Sequence, residues 1–241
     1  MNNHLFLERT TQALGNDVVR QIQSMHFCIL GCGAVGCNMA DMLVRSGAKR
    51  ITLVDGDHVE LTNLNRGCGF SLRDLNHSPA GAAKKVDALK EHLLNIASDL
   101  SIESIAYHFR APSKDDALAK VIIQQIQASD LVIIAMDQNQ VRIDCEDLCW
   151  RLGIDQLAVG IEIGENGDGY FECMWNKLTP TEQSAMEGYG NGSYASIVME
   201  ACAVAVGMML SHLSDETSTY NYILREFEGF IPATQNLDIQ S

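Results

Sequence analysis

The sequence predicts an α/β chain built on a doubly wound sheet, parallel in its N-terminal half and antiparallel in its C-terminal half. Two observations carry that prediction. From His26 to Leu152 short apolar runs alternate with segments of helical periodicity, the pattern of parallel βαβ units. After Leu157 two further apolar runs are separated by Gly164-Glu165-Asn166-Gly167-Asp168-Gly169, whose glycine, asparagine and aspartate are hairpin residues, so the sheet turns antiparallel there.

Taken in order, residues 1–25 carry Leu5, Leu7, Leu14, Val18, Val19 and Ile22 at roughly helical spacing, which predicts one or two short helices. His26 to Leu30 reads as a buried strand ending at a glycine. The helix after Gly36 runs through Met39 to Val44 and stops at Ser46-Gly47, glycine being a usual helix terminator. Arg50 to Val54 is a second strand closing on Asp55. A long helix follows from about Ala80 to Ala97, then a strand near Ile102 to Phe109, a helix near Lys114 to Gln127 and the strand Leu131 to Ala135. The next helix spans about Asn139 to Leu152, and the hairpin strands cover Leu157–Ile163 and Gly169–Trp175. Residues 176–192 are polar and glycine-rich, a loop by composition. A helix from about Tyr194 to Leu213 reads as apolar on more than one face and therefore as buried all round. Two terminal strands are expected near Tyr220–Phe227 and Phe230–Ala233.

At 241 residues, 46% hydrophobic and 20% charged, the chain can bury a full core without disulfides or metals. One domain over 1–241 is expected, with a helical segment at 1–25, a nucleotide-binding part at 26–163, and antiparallel strands, crossover loop and last helix at 164–241. No basic start followed by an apolar run and no window of 18 uninterrupted apolar residues are present, so a cytoplasmic protein without a membrane contact is expected. Seventeen Lys+Arg against thirty-one Asp+Glu give a formal charge of −14, which repels phosphate backbones and disfavours nucleic acid as a partner. The eight cysteines, several inside apolar runs such as His26-Phe27-Cys28-Ile29-Leu30, read as small buried hydrophobes in a reducing compartment. Cys145 and Cys149 share a helix face, and without a second pair they read as packing rather than as metal ligands.

Gly31-Cys32-Gly33-Ala34-Val35-Gly36 follows a strand and opens a helix, the context that a phosphate-binding G-x-G-x-x-G requires and the mark of a Rossmann-like sheet. Gly31, Gly33 and Gly36 let the backbone turn tightly and approach phosphate, and the helix N-terminus supplies free N–H groups. Asp55 at the end of the next strand is placed to accept hydrogen bonds from ribose hydroxyls. Up to this point a nicotinamide dehydrogenase fits equally well.

The segment Asp55-Gly56-Asp57-His58-Val59-Glu60-Leu61-Thr62-Asn63-Leu64-Asn65-Arg66 separates the readings. It resembles the signature D-x-D-x-V-x-x-x-N-L-x-R of the ThiF/MoeB family of adenylyltransferases, relatives of ubiquitin-activating enzymes, and every fixed position matches. The resemblance spans roughly residues 8–213 and is strongest over 26–66. It implies an ATP-dependent enzyme that adenylates a carboxylate with Mg²⁺. It further implies Asp55 on the ribose with Asp57 beside it, Asn63 and Arg66 at the phosphates, a later Lys at the start of the long helix, and a metal-binding Asp. By position the Lys is Lys85, with Lys84 as a one-residue alternative, and the Asp is Asp137 in a turn that also carries Arg142. Gln138 stands where the family has Asn, and Gly67 where it has Gln. The Arg9 region resembles the segment that in the family's dimers reaches the partner's phosphates, which implies a homodimer. Structural zinc in the family is held by two C-x-x-C pairs, and this chain has none.

The chemistry accounts for the residue types. A carboxylate attacking the α-phosphate of ATP needs cations on the phosphate oxygens, here Arg66 and Lys85, and a divalent metal held by a carboxylate, here Asp137. Three enzyme readings follow: activation of a ubiquitin-like or sulfur-carrier protein, a tRNA threonylcarbamoyladenosine dehydratase, or a peptide-modifying adenylating enzyme. A non-catalytic interaction subunit that kept the fold is the alternative of another class. The stretch 179–193 holds no cysteine, so no thioester through the crossover loop is expected, with Cys173 the nearest fallback and Cys202 the next.

Overall fold

The computed structural model describes residues 3–76, 81–109, 116–163, 169–176, 193–214 and 222–227. The strands are β1 (His26–Leu30), β2 (Arg50–Val54), β3 (Ser101–Ile105), β4 (Leu131–Ile134), β5 (Gln156–Ile163), β6 (Gly169–Trp175) and β7 (Tyr222–Phe227). Among the described residues they form one sheet in the order β3-β2-β1-β4-β5-β6-β7. Pairing is parallel from β3 to β5 and antiparallel from β5 to β7. The order reverses between β1 and β4.

Alternation along each strand sends residues to two cores. Phe27 and Ile29, Ile51 and Leu53, Leu131 and Ile133, and Leu157 and Val159 face one cluster, where α3 (Asn16–Ser24), α4 (Ala34–Ser46), α6 (Lys85–Ile96) and α9 (Ala195–Leu213) pack. Cys28 and Leu30, Val132 and Ile134, and Ala158 face the other, under α7 (Ala117–Gln127) and α8 (Asn139–Leu152). Phe27 is fully buried, and truncating such a side chain to alanine costs about 3–5 kcal/mol. Gly47, the terminator read from the sequence, ends α4 in the left-handed conformation at φ 115°, and Gly153 ends α8 in the same way at 67°. Residues 3–14 add α1 (Asn3–Phe6) and α2 (Glu8–Leu14), so the N-terminal segment holds three short helices rather than one or two.

Four further expectations are corrected. The helix expected from Ala80 starts at Lys85, because the backbone at 83–85 pairs with 57–59 instead: Val59 N–H donates to Ala83 O at 2.9 Å and Lys85 N–H to Asp57 O at 3.0 Å. The strand expected to reach Phe109 ends at Ile105, which pairs with Val54, the last residue of its only neighbouring strand among those described. The helix expected from Lys114 begins at Ala117, where the Asp116 side chain caps the Leu118 and Ala119 N–H groups. Helix α9 is not buried all round. Ile197, Val198, Ala201, Cys202, Ala205 and Met209 are buried, while Met199 is 46% exposed and Ser196, Ala203 and Gly207 share its open side. Small residues on that side leave little apolar area in water, so α9, which has the length and apolarity of a membrane span, is accounted for as a core helix against α4, β5 and β6. The sequence also gave no sign of α5 (Leu72–Leu75) or of the 3-10 turn at Leu61–Asn63. The hairpin tip at 164–168, the loop at 177–192 and the strand expected at 230–233 lie outside the described residues.

Candidate active site

A cavity of about 900 Å³ opens beyond the C-terminal ends of β1, β2, β4 and β5. It lies at the point where the strand order reverses, the place where open α/β sheets bind ligands. Gly31, Gly33, Asp55, Asp57, Asn63, Arg66, Lys85 and Asp137 all line it.

The three glycines do different work. Gly31 has φ +90°, and a Cβ there would stand 2.6 Å from the Ala135 carbonyl oxygen at the end of β4. A Cβ on Gly36 would stand 1.8 Å from the Gly31 oxygen. These two glycines therefore permit the turn itself. Gly33, the N-cap of α4, has nothing within 4 Å of the corresponding position and faces the open cavity. Its bare Cα leaves room for a ligand to reach the backbone N–H groups at the helix N-terminus.

Asp55 braces this turn. Its Oδ2 accepts from Cys32 N–H at 2.7 Å and its Oδ1 from Asp57 N–H at 2.8 Å. Each carboxylate oxygen keeps a further lone pair for a ribose hydroxyl. Lys85, the first residue of α6, donates from Nζ to Asp57 Oδ2 at 2.8 Å. Burial alone would lower the Lys85 pKa, but the hydrogen bond to Asp57 and the charges of Asp55, Asp57 and Glu60 outweigh it and hold it above the usual lysine value. Asp57 is correspondingly held below the usual carboxylate range: burial opposes this, and the Lys85 ammonium overcomes it. The neighbouring Lys84 Nζ donates to Gly56 O at 2.7 Å, and Lys84 is not among the residues lining the cavity.

The turn at 61–63 closes when Asn63 Oδ1 accepts from Glu60 N–H at 2.9 Å, which fixes Asn63 at the cavity wall. Arg66 is anchored by donation from NH1 to Thr62 O at 2.7 Å and Asn65 Oδ1 at 3.0 Å, and its own carbonyl accepts from Asn38 Nδ2 on α4 at 2.8 Å. Its Nε is buried and has no hydrogen-bond partner. Asp137 is exposed on the turn after β4. Arg142 is buried behind it and paired with Glu146 at 3.2 Å and with Glu172. Arg9, exposed on α2, does not line its own chain's cavity.

Several wall residues were not singled out from sequence. His108 stands over Gly56, where a Cβ would meet the imidazole at 2.4 Å, and its Nδ1 is 3.7 Å from Asp57 Oδ1. Asn139, the first residue of α8, presents a buried Oδ1 with no partner. Tyr107 and Glu162 complete the rim, Glu162 accepting from Tyr170 OH. The available signal was positional: each lies just beyond or near the C-terminal end of a parallel strand.

The cavity thus gathers a glycine turn at a helix N-terminus, the aspartate that braces it, two cationic side chains and an exposed carboxylate. A model of the ThiF family matches residues 7–227, nearly the whole chain. The chain belongs to the ThiF family. Its similarity to tRNA threonylcarbamoyladenosine dehydratase 1 of Saccharomyces cerevisiae is 27% identity over 160 residues, covering 65% of this chain and 35% of the yeast protein. The sulfur carrier protein ThiS adenylyltransferase of Bacillus subtilis is 27% identical over 154 residues, 64% of this chain and 42% of the other. The crystal structure of Escherichia coli MccB with ATP has the same fold, with a TM-score of 0.70 at 18% identity over 95% of this chain and 73% of that one. This ThiF-family chain thus spans less than half the length of either of these two curated relatives.

The ThiF-family chain's cysteines fit packing better than catalysis. Cys173 is fully buried on β6 and burial pushes its thiol up to about 12; Cys202 on α9 is also fully buried and raised further. Cys145 and Cys149 lie in the core under α8.

Proposed function

We propose that this chain is an ATP-dependent adenylyltransferase acting on a carboxylate, the C-terminal carboxylate of a ubiquitin-like or sulfur-carrier protein. The observation that carries the reading is the convergence of Arg66, Lys85, the Gly33 opening and Asp137 on one cavity where the strand order reverses. Two cationic side chains beside a glycine turn at a helix N-terminus are the groups that phosphate oxygens pair with.

In this reading Asp55 accepts from the ribose, the α4 N-terminus and Gly33 receive phosphate oxygens, and Arg66 and Lys85 balance the charge that builds on them. Lys85 arrives charged, since its partner Asp57 keeps it protonated. The substrate carboxylate, already ionised, attacks the α-phosphorus. A new O–P bond forms, the bond to the bridging oxygen breaks, and pyrophosphate leaves with the electron pair, so no general base is needed. Asp137, an exposed hard oxygen donor at the cavity, fits Mg²⁺ and would hold it. When bound, that ion supplies charge neutralisation on the phosphates. Arg9 is exposed and outside its own chain's cavity, and in this reading it serves the phosphates of a second copy in a homodimer.

A second reading, a tRNA threonylcarbamoyladenosine dehydratase, is favoured by the yeast relative and opposed by the formal charge of −14. Pyrophosphate exchange into ATP distinguishes them. Exchange that depends on a small protein ending in Gly-Gly supports the carrier reading. Exchange that depends only on tRNA bearing the threonylcarbamoyl carboxylate overturns it in favour of the second.

A further inference from the structure

Away from the cavity, Asp41 on α4, Cys68 in the segment after Arg66 and His92 on α6 converge. One carboxylate oxygen, one sulfur and one imidazole nitrogen lie within 4.8 Å of one another. None of the three lines the nucleotide cavity. His92 Nε2 is 2.8 Å from Asp41 Oδ1, and Arg45 donates to Asp41 Oδ2 from Nε at 2.5 Å. These hydrogen bonds among Asp41, His92 and Arg45 account for Asp41 and His92 without a further ligand. The Cys68 thiol is brought against this pair from a third element, donating to the Cys37 carbonyl at 3.4 Å.

We propose that Cys68, His92 and Asp41 form a binding site for a thiophilic divalent cation of the zinc class, with solvent completing the coordination. The donor set decides the class. A thiolate with an imidazole selects zinc over magnesium or calcium, which take oxygen ligands. Tetrahedral zinc at about 2.0–2.3 Å from its ligands sets donor atoms roughly 3.3–3.8 Å apart, so donors already within 4.8 Å close on an ion by side-chain rotation. Arg45 on the outer carboxylate oxygen is the kind of partner that orients a ligating aspartate. The His92 side chain is 28% exposed, giving an ion a route from solvent, while Asp41 at 13% keeps the site largely dry. Binding converts the Cys68 thiol to a thiolate and releases its proton to solvent.

The consequence is mechanical. Cys68 is two residues beyond Arg66, whose carbonyl is tied to Asn38 of α4. A cation held by Cys68, Asp41 and His92 fastens the Arg66 segment to both α4 and α6, the helices that begin at the glycine turn and at Lys85.

The test uses the full chain, stripped with a chelator and returned to metal-free buffer. It is titrated with Zn²⁺ against a chromophoric chelator, and separately with Co²⁺ as a spectroscopic probe. One Zn²⁺ per chain is expected. Bound Co²⁺ should show tetrahedral visible bands and a thiolate-to-metal charge-transfer band in the near ultraviolet. Cys68→Ser should remove that band, and Cys68→Ser and His92→Ala should each weaken Zn²⁺ binding by about 10²-fold or more, since even outer-sphere partners are worth about 10–100-fold. Cys149→Ser, in the opposite core, should change neither. No stoichiometric Zn²⁺, a Co²⁺ spectrum without thiolate charge transfer, or binding that survives Cys68→Ser overturns the proposal. The wild-type Co²⁺ spectrum decides even if a variant fails to fold, and none of these readouts depends on adenylation.

Discussion

A Gly33→Ala substitution adds one methyl group at the one glycine of the turn that opens on the cavity. Gly33 sits at φ −73° and ψ −153°, a conformation any residue adopts, and nothing lies within 4 Å of the added carbon. Two small effects on folding oppose each other. Loss of glycine's freedom in the unfolded chain stabilises by about 0.4–1 kcal/mol. Alanine is the poorer N-cap, which costs a similar amount. The net change should stay within about 1 kcal/mol, a shift of no more than roughly 4 °C in Tm for a chain of this size. Binding should respond differently. A phosphate oxygen about 2.9 Å from a backbone N–H of the turn cannot keep that distance with a methyl group over it. Losing one charge-assisted hydrogen bond costs about 1.5–3 kcal/mol, or roughly 10- to 150-fold in Kd. Calorimetry with ATP·Mg²⁺ and thermal unfolding of the same preparation measure both quantities. Gly36→Ala is the contrast: its Cβ would collide with the Gly31 oxygen, so stability and binding should fall together. If Gly33→Ala binds ATP within about twofold of wild type, the phosphates do not lie over the glycine turn and the reasoning fails.

Three further outcomes are expected. Cys173→Ser and Cys202→Ser should leave adenylation intact, because both thiols are fully buried and raised; an ATP-dependent covalent adduct cleaved by thiol reductant and lost in either variant would contradict this. His26 is buried, held by the Ala128 carbonyl at 3.0 Å and Thr52 Oγ1 at 2.9 Å, and burial lowers its pKa. The unfolded chain therefore binds this proton first, so the stability His26 contributes is complete above about pH 6.5 and is lost as pH falls toward its lower folded value. Tm should drop between pH 7.5 and 5.5 in wild type and drop less in His26→Gln, whereas equal slopes would refute the assignment. Light scattering should give twice 26.4 kDa at micromolar concentration, and the monomer mass would remove the role given to Arg9.

The sheet was legible because buried parallel strands are written as short apolar runs, and β1, β2, β4, β5 and β6 fall within a residue of where those runs stand. The Asp55–Arg66 signature was equally legible, since its side chains act from one short stretch of chain. What the sequence hid depends on distant neighbours. The end of β3 is decided by the length of β2, and the start of α6 by backbone pairing between 57–59 and 83–85. His108 and Asn139 reach the cavity through the order of strands, which no local pattern encodes. The apolarity of α9 suggested burial on every side because composition does not distinguish a small outward residue such as Ala203 from a core one.

The claim that this glycine turn serves ATP rather than a nicotinamide dinucleotide is tested most directly by titrating ATP·Mg²⁺ and NAD⁺ into the same chain. Arg66→Ala, Lys85→Ala and Lys84→Ala are carried alongside. Wild type should bind ATP·Mg²⁺ more tightly than NAD⁺. Arg66→Ala and Lys85→Ala should each weaken ATP binding by about 10-fold or more, since each removes a hydrogen bond to a charged group worth about 1.5–3 kcal/mol. Lys84→Ala, whose ammonium is spent on the Gly56 carbonyl, should stay near wild type. Tighter binding of NAD⁺, or ATP binding indifferent to both Arg66 and Lys85, would contradict the account.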